Sequence, residues 1–401
     1  MSLNCEVCLN ISDGPVIDLG AHPLNDDMRP IGAPASTQVY RQVIQLCDVC
    51  LTAQQRYQVS KETLFFPEYR YRGGVTSDVL TGMRNLVENA LSYYGDVSNL
   101  KVLDIGANDG SLLGIFKELS NCQTIGVDPT NAIQNSKSRI DFAYQEFFNT
   151  TTANKIIELH GQPDIITFTN VFAHIENFGE LINSLKSLIN DKNLLVIENH
   201  YLGSVLEKNQ FDTFYAEHLR TYSAKSFDYI AERLDVDIKS LQYPRRYGGN
   251  IRVFMSRKDN LPIVIEDNVE VSFIGEFERI QKTYDHWKSN SKYEIDLLLK
   301  KSTLVGKSCP ARSVMLYSSL DMNAGKMECV FEHPDSPKIG WCVPGTEIPI
   351  ISDESISQTN GRPMILWSWH IAYEIIPYLK NLGFRGNIYA PLPEFKLLAE
   401  L

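Results

Sequence analysis

Lys101-Val102-Leu103-Asp104-Ile105-Gly106-Ala107-Asn108-Asp109-Gly110-Ser111-Leu112-Leu113 is the stretch whose reading decides the fold. Val102 to Ile105 is a short apolar run suited to a strand buried on both faces of a parallel sheet. Gly106 and Gly110 bracket a turn in which positive φ and close approach of a ligand to the backbone are tolerated. Asp109 and Ser111 are placed to cap the next helix. Strand, glycine turn and helix together open a nucleotide-binding α/β unit, yet the spacing is not the three-glycine dinucleotide fingerprint and offers fewer amides to a pyrophosphate. Thr124-Ile125-Gly126-Val127-Asp128 reads as the next strand, and Asp128 stands 24 residues after Asp104. An acid at a strand's carboxyl end can accept two hydrogen bonds from vicinal ribose hydroxyls. The plainer alternative is an α/β core whose acids only cap helices.

The pattern Asp104-x-Gly106-x-Asn108-Asp109-Gly110 resembles motif I of class I S-adenosylmethionine (SAM) methyltransferases. That resemblance implies that Asp104, Gly106, Asn108 and Asp109 hold the amino acid end of the cofactor and that Asp128 holds its ribose. It further implies adenine contacts at Phe147, in the turn after a short strand beginning at Phe142. Asn170, which ends the buried run Asp164 to Thr169, completes the expected cofactor set.

With 401 residues and 43% hydrophobic content, the chain has room for two or three cored domains. Its formal charge of −11 argues against a nucleic-acid surface, which needs a basic face. No apolar run approaches the roughly 20 residues that cross a bilayer, and no basic-then-apolar leader opens the chain, so no membrane partner and a cytoplasmic location are expected.

Cys5-Glu6-Val7-Cys8 and Cys47-Asp48-Val49-Cys50 are two C-x2-C pairs separated by 38 residues. Four thiolates on two knuckles suit a closed, structural Zn2+ site at Cys5, Cys8, Cys47 and Cys50 better than a redox dithiol, which needs one pair in a thioredoxin-like context. Cys122, Cys309, Cys329 and Cys342 show no such pairing and read as buried thiols. Between the knuckles, alternating Tyr40, Gln42, Ile44 and Leu46 predict a strand. The cysteine pairs, the segment Asp18-Leu19-Gly20-Ala21-His22-Pro23-Leu24-Asn25-Asp26 and the SAM motif together resemble the sugar C-methyltransferase family, whose members build branched deoxysugars on nucleotide carriers.

Further motifs carry the same resemblance. Tyr71 stands at the second tyrosine of the family's Tyr-x-Tyr, while Gly73 and Gly74 replace the serines next to it. Asn170-Val171-Phe172-Ala173-His174-Ile175 matches a motif that faces the active site. Tyr215-Ala216-Glu217-His218 matches a segment that carries catalytic groups. Read from the residues alone, Tyr71 could be part of an aromatic packing stripe, His174 a satisfied core histidine and the 215–218 segment a surface helix with a local ion pair. Tyr247-Gly248-Gly249-Asn250-Ile251-Arg252 matches the strand that closes the SAM domain, with Tyr247 where relatives often carry histidine. Arg245 and Arg246 are candidates for meeting a diphosphate. Helical spacing of Val269, Phe273, Phe277, Ile280, Tyr284 and Trp287 predicts a long linker helix between Glu266 and Leu304. Beyond it, strands are expected at Val314–Tyr317, Met327–Phe331 and Met364–Trp367, and a helix near Ile371–Leu382. Pro344-Gly345-Thr346-Glu347-Ile348-Pro349-Ile350 matches a loop of the family's C-terminal domain. Its G-A-x-x-K-G turn is expected after Tyr317, where the chain reads Ser318 to Lys326 instead, which puts nucleotide recognition there in doubt.

The expected architecture is α/β: a class I SAM-dependent methyltransferase (Rossmann-like) core over residues 67–262 with a small N-terminal zinc-binding domain (1–66), a linker helix (263–305) and a C-terminal α/β Rossmann-like domain (306–401). The resemblance implies a C-methyltransferase acting on a nucleotide-linked 4-keto-6-deoxyhexose. In that chemistry His218 removes the proton beside the ketone, Tyr215 and His174 stabilise the enolate oxygen, and Glu217 orients His218 or binds sugar hydroxyls. Three alternatives stay open: an O- or N-methyltransferase, a noncatalytic zinc-binding scaffold and a repurposed relative. A monomer or homodimer is expected.

Overall fold

The computed structural model describes residues 2–401 except 68, 71, 76, 96–97, 137, 258–269 and 360, and leaves out the side chains at 75 and 77. Three principal sheets organise it. In the first, β1 (Val16–His22), β2 (Tyr40–Leu46) and β3 (Ala53–Gln55) run antiparallel. The alternation read at Tyr40 to Leu46 is β2, although both of its faces become covered after Arg41 and five consecutive residues are buried.

The central sheet is the one predicted from the 101–113 stretch. Its strands are β4 (Lys101–Ile105), β5 (Gln123–Val127), β6 (Phe142–Tyr144), β7 (Ile165–Thr169) and β8 (Leu194–His200). The two-residue β9 (Arg220–Thr221) leaves this unit and pairs with β3 of the first sheet, tying the two together. β10 (Asp237–Gln242) and β11 (Asn250–Ser256) complete the central sheet, whose order among the described residues is β10-β11-β8-β7-β4-β5-β6. β4 to β8 are parallel and β11 is antiparallel to both neighbours. The chain winds from β4 outward through β5 and β6, then returns to β7 on the other side. The ends of β4 and β7 therefore border a crevice where no crossover covers the sheet.

The linker helix runs Phe273–Leu299, shorter at both ends than the expected span, and Val269, read as part of its seam, lies outside the described residues. Its buried seam meets all three units: Trp287 lies against Phe211, Tyr284 Oη donates to the Leu19 carbonyl at 3.0 Å, and Trp287 Nε1 donates to the Pro391 carbonyl at 2.6 Å.

Leu304 does not end the helix but starts a strand, β12 (Leu304–Lys307). The strand expected at Val314–Tyr317 is a helix, Ser313–Ser319. All but one of its residues are buried, so its apolar run has no exposed face to show a helical period, and a short buried run reads the same for either element. β13 (Met327–Glu332), β14 (Ile350–Ser352), β15 (Met364–Leu366), β16 (Asn387–Ala390) and β17 (Lys396–Glu400) come next, in the order β14-β13-β12-β15-β16-β17. With β12 as first strand, the turn after it is Ser308-Cys309-Pro310-Ala311-Arg312-Ser313. That segment, rather than 318–326, stands where the G-A-x-x-K-G turn was expected, with Arg312 at the lysine position. The family loop at 344–350 packs on the N-terminal unit: at Gly345, whose φ is +71°, a Cβ would lie 2.3 Å from Pro23 Cγ.

Candidate active site

A cleft of ≈ 390 Å³ opens at the crevice between β4 and β7 and is walled by all three units. Every candidate cofactor residue named from the sequence borders it: Asp104, Gly106, Asn108, Asp109, Asp128, Phe147 and Asn170. So do four of the five candidate catalytic residues, His174, Tyr215, Glu217 and His218. The fifth, Tyr71, lies outside the described residues.

The glycine turn is held by the side chains of Asp109, Asp128 and Val171. Gly106 has φ +77°, and a Cβ there would lie 2.2 Å from Val171 Cγ2. Asp128 accepts from the Asn108 amide at 2.9 Å with one oxygen and from Thr130 N and Oγ1 at 2.9 and 2.6 Å with the other. Asp109 accepts from Ser111 N at 3.1 Å and Ser111 Oγ at 2.7 Å, capping the helix at 111–120 from one residue before its Gly110 N-cap. Gly73 and Gly74, which replace the family's serines, reach this turn through their amides, which donate to Asn108 Oδ1 at 3.0 Å and Asp109 Oδ2 at 3.2 Å. A Cβ at Gly74 would sit 2.6 Å from Ser111 Oγ, so this arrangement excludes a serine. Asp104 is buried and accepts from Thr167 Oγ1 at 2.6 Å. Burial, with repulsion from Asp128, pushes its carboxyl up to about 7 against the pull of Thr167. Two acids at the carboxyl ends of adjacent strands, a polar turn and an aromatic wall fit the amino acid, ribose and adenine parts of SAM.

Across the cleft, the imidazoles of His174 and His200 flank that of His218, with ring centroids 4.9 and 4.8 Å away, and the Tyr215 ring lies at 4.1 Å. His218 Nδ1 donates to the Thr213 carbonyl at 2.8 Å, and His174 Nδ1 donates to the Glu217 carbonyl at 2.8 Å. A carbonyl partner requires the proton on Nδ1, which leaves Nε2 of each ring unprotonated. Burial keeps both neutral: His174 is pushed down to about 4, and His218 falls well below its ordinary value, aided by His200, His174 and Arg312. His174 is thus neither unsatisfied nor a mere core residue. Glu217 does not orient His218 as expected. Its carboxylate turns to Tyr69, whose Oη donates to it at 2.9 Å, and burial lifts it to about 7.

Sequence reasoning missed several cleft residues. His200 ends β8, and the rule that ligands meet the carboxyl ends of parallel strands could have found it. Asn25 and Asp26 arrive from the N-terminal unit, and Arg312, Lys338 and His370 from the C-terminal unit. Asn25 and Asp26 end the Asp18–Asp26 motif without having been read as site residues, and no local spacing announces the other three. Arg246, read as a diphosphate candidate, is buried and paired with Glu198 at 3.2 Å, whereas Arg245 is exposed.

Away from the cleft, Cys5, Cys8, Cys47 and Cys50 bring their sulfurs within 4.8 Å of one another, a cluster that could hold a metal ion. The Cys5–Cys50 and Cys8–Cys47 separations of 3.5 and 3.6 Å are close to the edges of a tetrahedron of thiolates. Among the described residues, no helix is long and apolar enough to cross a membrane.

A methyltransferase-domain family matches residues 52–241, and a C-methyltransferase C-terminal-domain family matches residues 245–393. The C-methyltransferase NovU of Streptomyces niveus is 25% identical over 409 aligned residues, covering 98% of this chain and 96% of its own. Among solved structures, magnesium protoporphyrin IX methyltransferase (ChlM) from Synechocystis PCC 6803 aligns with a TM-score of 0.35 and 15% identity, over 45% of this chain and 84% of that one. An S-adenosylmethionine-dependent methyltransferase from Clostridium acetobutylicum aligns with a TM-score of 0.35 and 7% identity, over 45% and 92%.

Proposed function

Because this chain belongs to the C-methyltransferase family and is a SAM-dependent methyltransferase, we propose that it methylates carbon 3 of a nucleotide-linked 4-keto-6-deoxyhexose in branched-sugar biosynthesis, as a cytoplasmic enzyme. The observation that carries this reading is the placement of an unprotonated, buried His218 Nε2 in the same cleft as the Asp104 turn. A carbon acid beside a ketone needs a base that stays neutral at working pH and a donor for the oxygen that becomes negative. His218 is the base. Tyr215 is the donor, since burial holds its phenol protonated well above the usual range. His174, whose own Nδ1 proton is committed to the Glu217 carbonyl, cannot donate from Nε2 and instead accepts from a sugar hydroxyl. Glu217 and Tyr69, whose one proton is committed to Glu217, offer oxygens that accept from further hydroxyls.

Asp104, Asn108 and Asp109 hold the amino acid end of SAM, Asp128 its ribose, and Phe147 and Asn170 border its adenine. When bound, SAM supplies an electrophilic methyl group. The protein's part is alignment of the nucleophilic carbon in a cleft closed by three units. Pro310, Ala311, Ser368, His370 and Ile371, from the turns after β12 and β15, wall the far end of that cleft. This is the switch-point crevice of the C-terminal sheet, and it suits a substrate longer than a free sugar. The four cysteines hold structural Zn2+ and take no part in the chemistry.

Calorimetric titration with S-adenosylhomocysteine, and then incubation with SAM carrying a 13C methyl and dTDP- or GDP-4-keto-6-deoxyhexose, tests the proposal. Micromolar binding and a new carbon–carbon coupling at carbon 3 are expected. A methyl found on oxygen or nitrogen selects an O- or N-methyltransferase, and no binding by folded protein selects a noncatalytic or repurposed relative.

A further inference from the structure

Arg312 comes from the turn after β12, in the C-terminal unit, yet its guanidinium lies in the segment that carries the proposed base. Nε and Nη2 form a two-pronged pair with Asp212, at 2.8 and 2.6 Å, and Asp212 is fully buried. Nη2 also donates to Gln210 Oε1 at 3.0 Å and Thr213 Oγ1 at 3.1 Å, and Nη1 donates to the Tyr247 carbonyl at 2.9 Å. Trp369, after β15, donates from Nε1 to the same Asp212 at 3.1 Å. Residues 210–213 are thus gripped from outside by one planar cation, a geometry that a lysine could not reproduce. Thr213 is the next link, because its carbonyl receives the His218 Nδ1 proton.

We infer that Arg312 is a positioning residue: by fixing Thr213 through Asp212, it lets the C-terminal unit set the tautomer and orientation of His218. The inference rests on the reading of His218 as the base. Its field acts in the same direction as its geometry. The groups facing His218 are the His174 and His200 rings, with centroids at 4.9 and 4.8 Å, the Tyr215 ring at 4.1 Å, and the Arg312 guanidinium, which donates to Thr213 Oγ1. With Arg312 in place, a proton on His218 meets a nearby cation. Without it, the unpaired Asp212 would favour that proton. Arg312 bears on His200 and His370 in the same sense.

The test needs no substrate. Full-length protein labelled with 15N in its histidines gives ring-nitrogen correlations, and the His218→Gln variant assigns His218. In the wild type, His218 should show a protonated Nδ1 and remain neutral across pH 6 to 8. In Arg312→Gln the tautomers should mix and the titration midpoint should rise by roughly one unit or more. Arg312→Lys should keep the midpoint low and still lose the single tautomer. If Arg312→Gln does not fold, the double variant Asp212→Asn/Arg312→Gln, which leaves no buried charge behind, carries the measurement. S-adenosylhomocysteine binding certifies the cofactor unit in each sample. An unchanged His218 tautomer and midpoint in a folded, cofactor-binding variant overturns the inference. Failure of the keto-sugar assay with the tautomer shift observed overturns the reading of the reaction instead and leaves the coupling between units standing.

Discussion

The turn after β4 and the turn after β12 occupy equivalent places in two sheets wound the same way, and they are put to different uses. In both, the residue just after the strand takes a left-handed backbone, Gly106 at φ +77° and Ser308 at φ +67°. In both, an acid at the end of the second strand accepts an amide from the first turn: Asp128 from Asn108 at 2.9 Å, and Glu332 from Cys309 at 2.8 Å. The difference lies in the side chains the two turns present. Gly106 to Gly110 leaves its acids and amides facing a cleft, whereas Cys309-Pro310-Ala311-Arg312 sends a guanidinium into the neighbouring unit. One winding of the chain makes a crevice at each switch point, and the residues of the first turn decide whether that crevice receives a ligand or also grips another part of the protein.

The sharpest test of this comparison is at His218, which borders the cleft of the first turn and is linked to the second through Thr213 and Arg312. His218→Gln keeps a polar side chain of similar reach but offers no base, so kcat should fall by ~10²- to 10⁴-fold. S-adenosylhomocysteine binding, measured by calorimetry, should change little because the Asp104 turn is untouched. Retained turnover would move the base to His200 or His174 and detach the C-terminal turn from the chemistry.

Next in size is Gly106→Ala. The new methyl would need to displace Val171 at 2.2 Å in a conformation that disfavours any Cβ. Overpacking and strain of this kind cost about 2–3 kcal/mol, equivalent to roughly 100-fold weaker cofactor binding if the turn yields rather than the fold. Normal affinity in this variant would mean that the two turns do not differ in the way described.

How much of the molecule was legible in the sequence depends on how local each signal is. The stretch from Lys101 to Leu113 carries strand, turn and cap in consecutive residues, and Asp128 follows the next strand, so the central sheet and the residues it sends to the cleft could be read directly. Phe211 to His218 stood out because aromatics, two acids and a histidine crowd a few residues. β12 did not, since its four residues hold only Leu304 and Val305 as large apolar side chains before Gly306 and Lys307, too short a run to show a period. Missing it put the first C-terminal strand at Val314–Tyr317, which is a helix, and hid Arg312 in an unremarked turn, while the strands expected at Met327–Phe331 and Met364–Trp367 and the helix near Ile371–Leu382 stand where the sequence places them. Lys338 and His370 reach the cleft only through the packing of separate units, which no period or spacing encodes.

A smaller effect separates the two acids from the turns that hold them. Asp104 has its carboxyl raised to about 7, mainly by burial. Below that pH the free protein holds a proton there, and the cofactor's ammonium favours the ionised form, so binding should expel a proton. Affinity should therefore rise as pH increases from 6 to 8, by ~10-fold, and then level off. Titrations with S-adenosylhomocysteine in buffers of different ionisation enthalpy count the proton released, and Asp104→Asn should abolish it. Binding without proton release would place the ammonium away from Asp104.

The smallest expected change is Ser308→Gly, the counterpart of Gly106 in the C-terminal turn. A left-handed backbone costs an L-residue about 1–2 kcal/mol, which glycine would recover. Glycine also raises the entropy of the unfolded chain, which removes roughly 0.5–1 kcal/mol of that gain. Ser308 is held through its amide, which donates to the Phe331 carbonyl at 2.9 Å, and glycine keeps that bond. Thermal unfolding should therefore move by no more than about 1 kcal/mol in either direction, and methyl transfer should stay within a factor of a few. A large loss of activity with stability unchanged would mean that the Ser308 side chain itself works in the cleft. The C-terminal turn would then be a ligand-binding loop like its counterpart, and the division of labour between the two would fail.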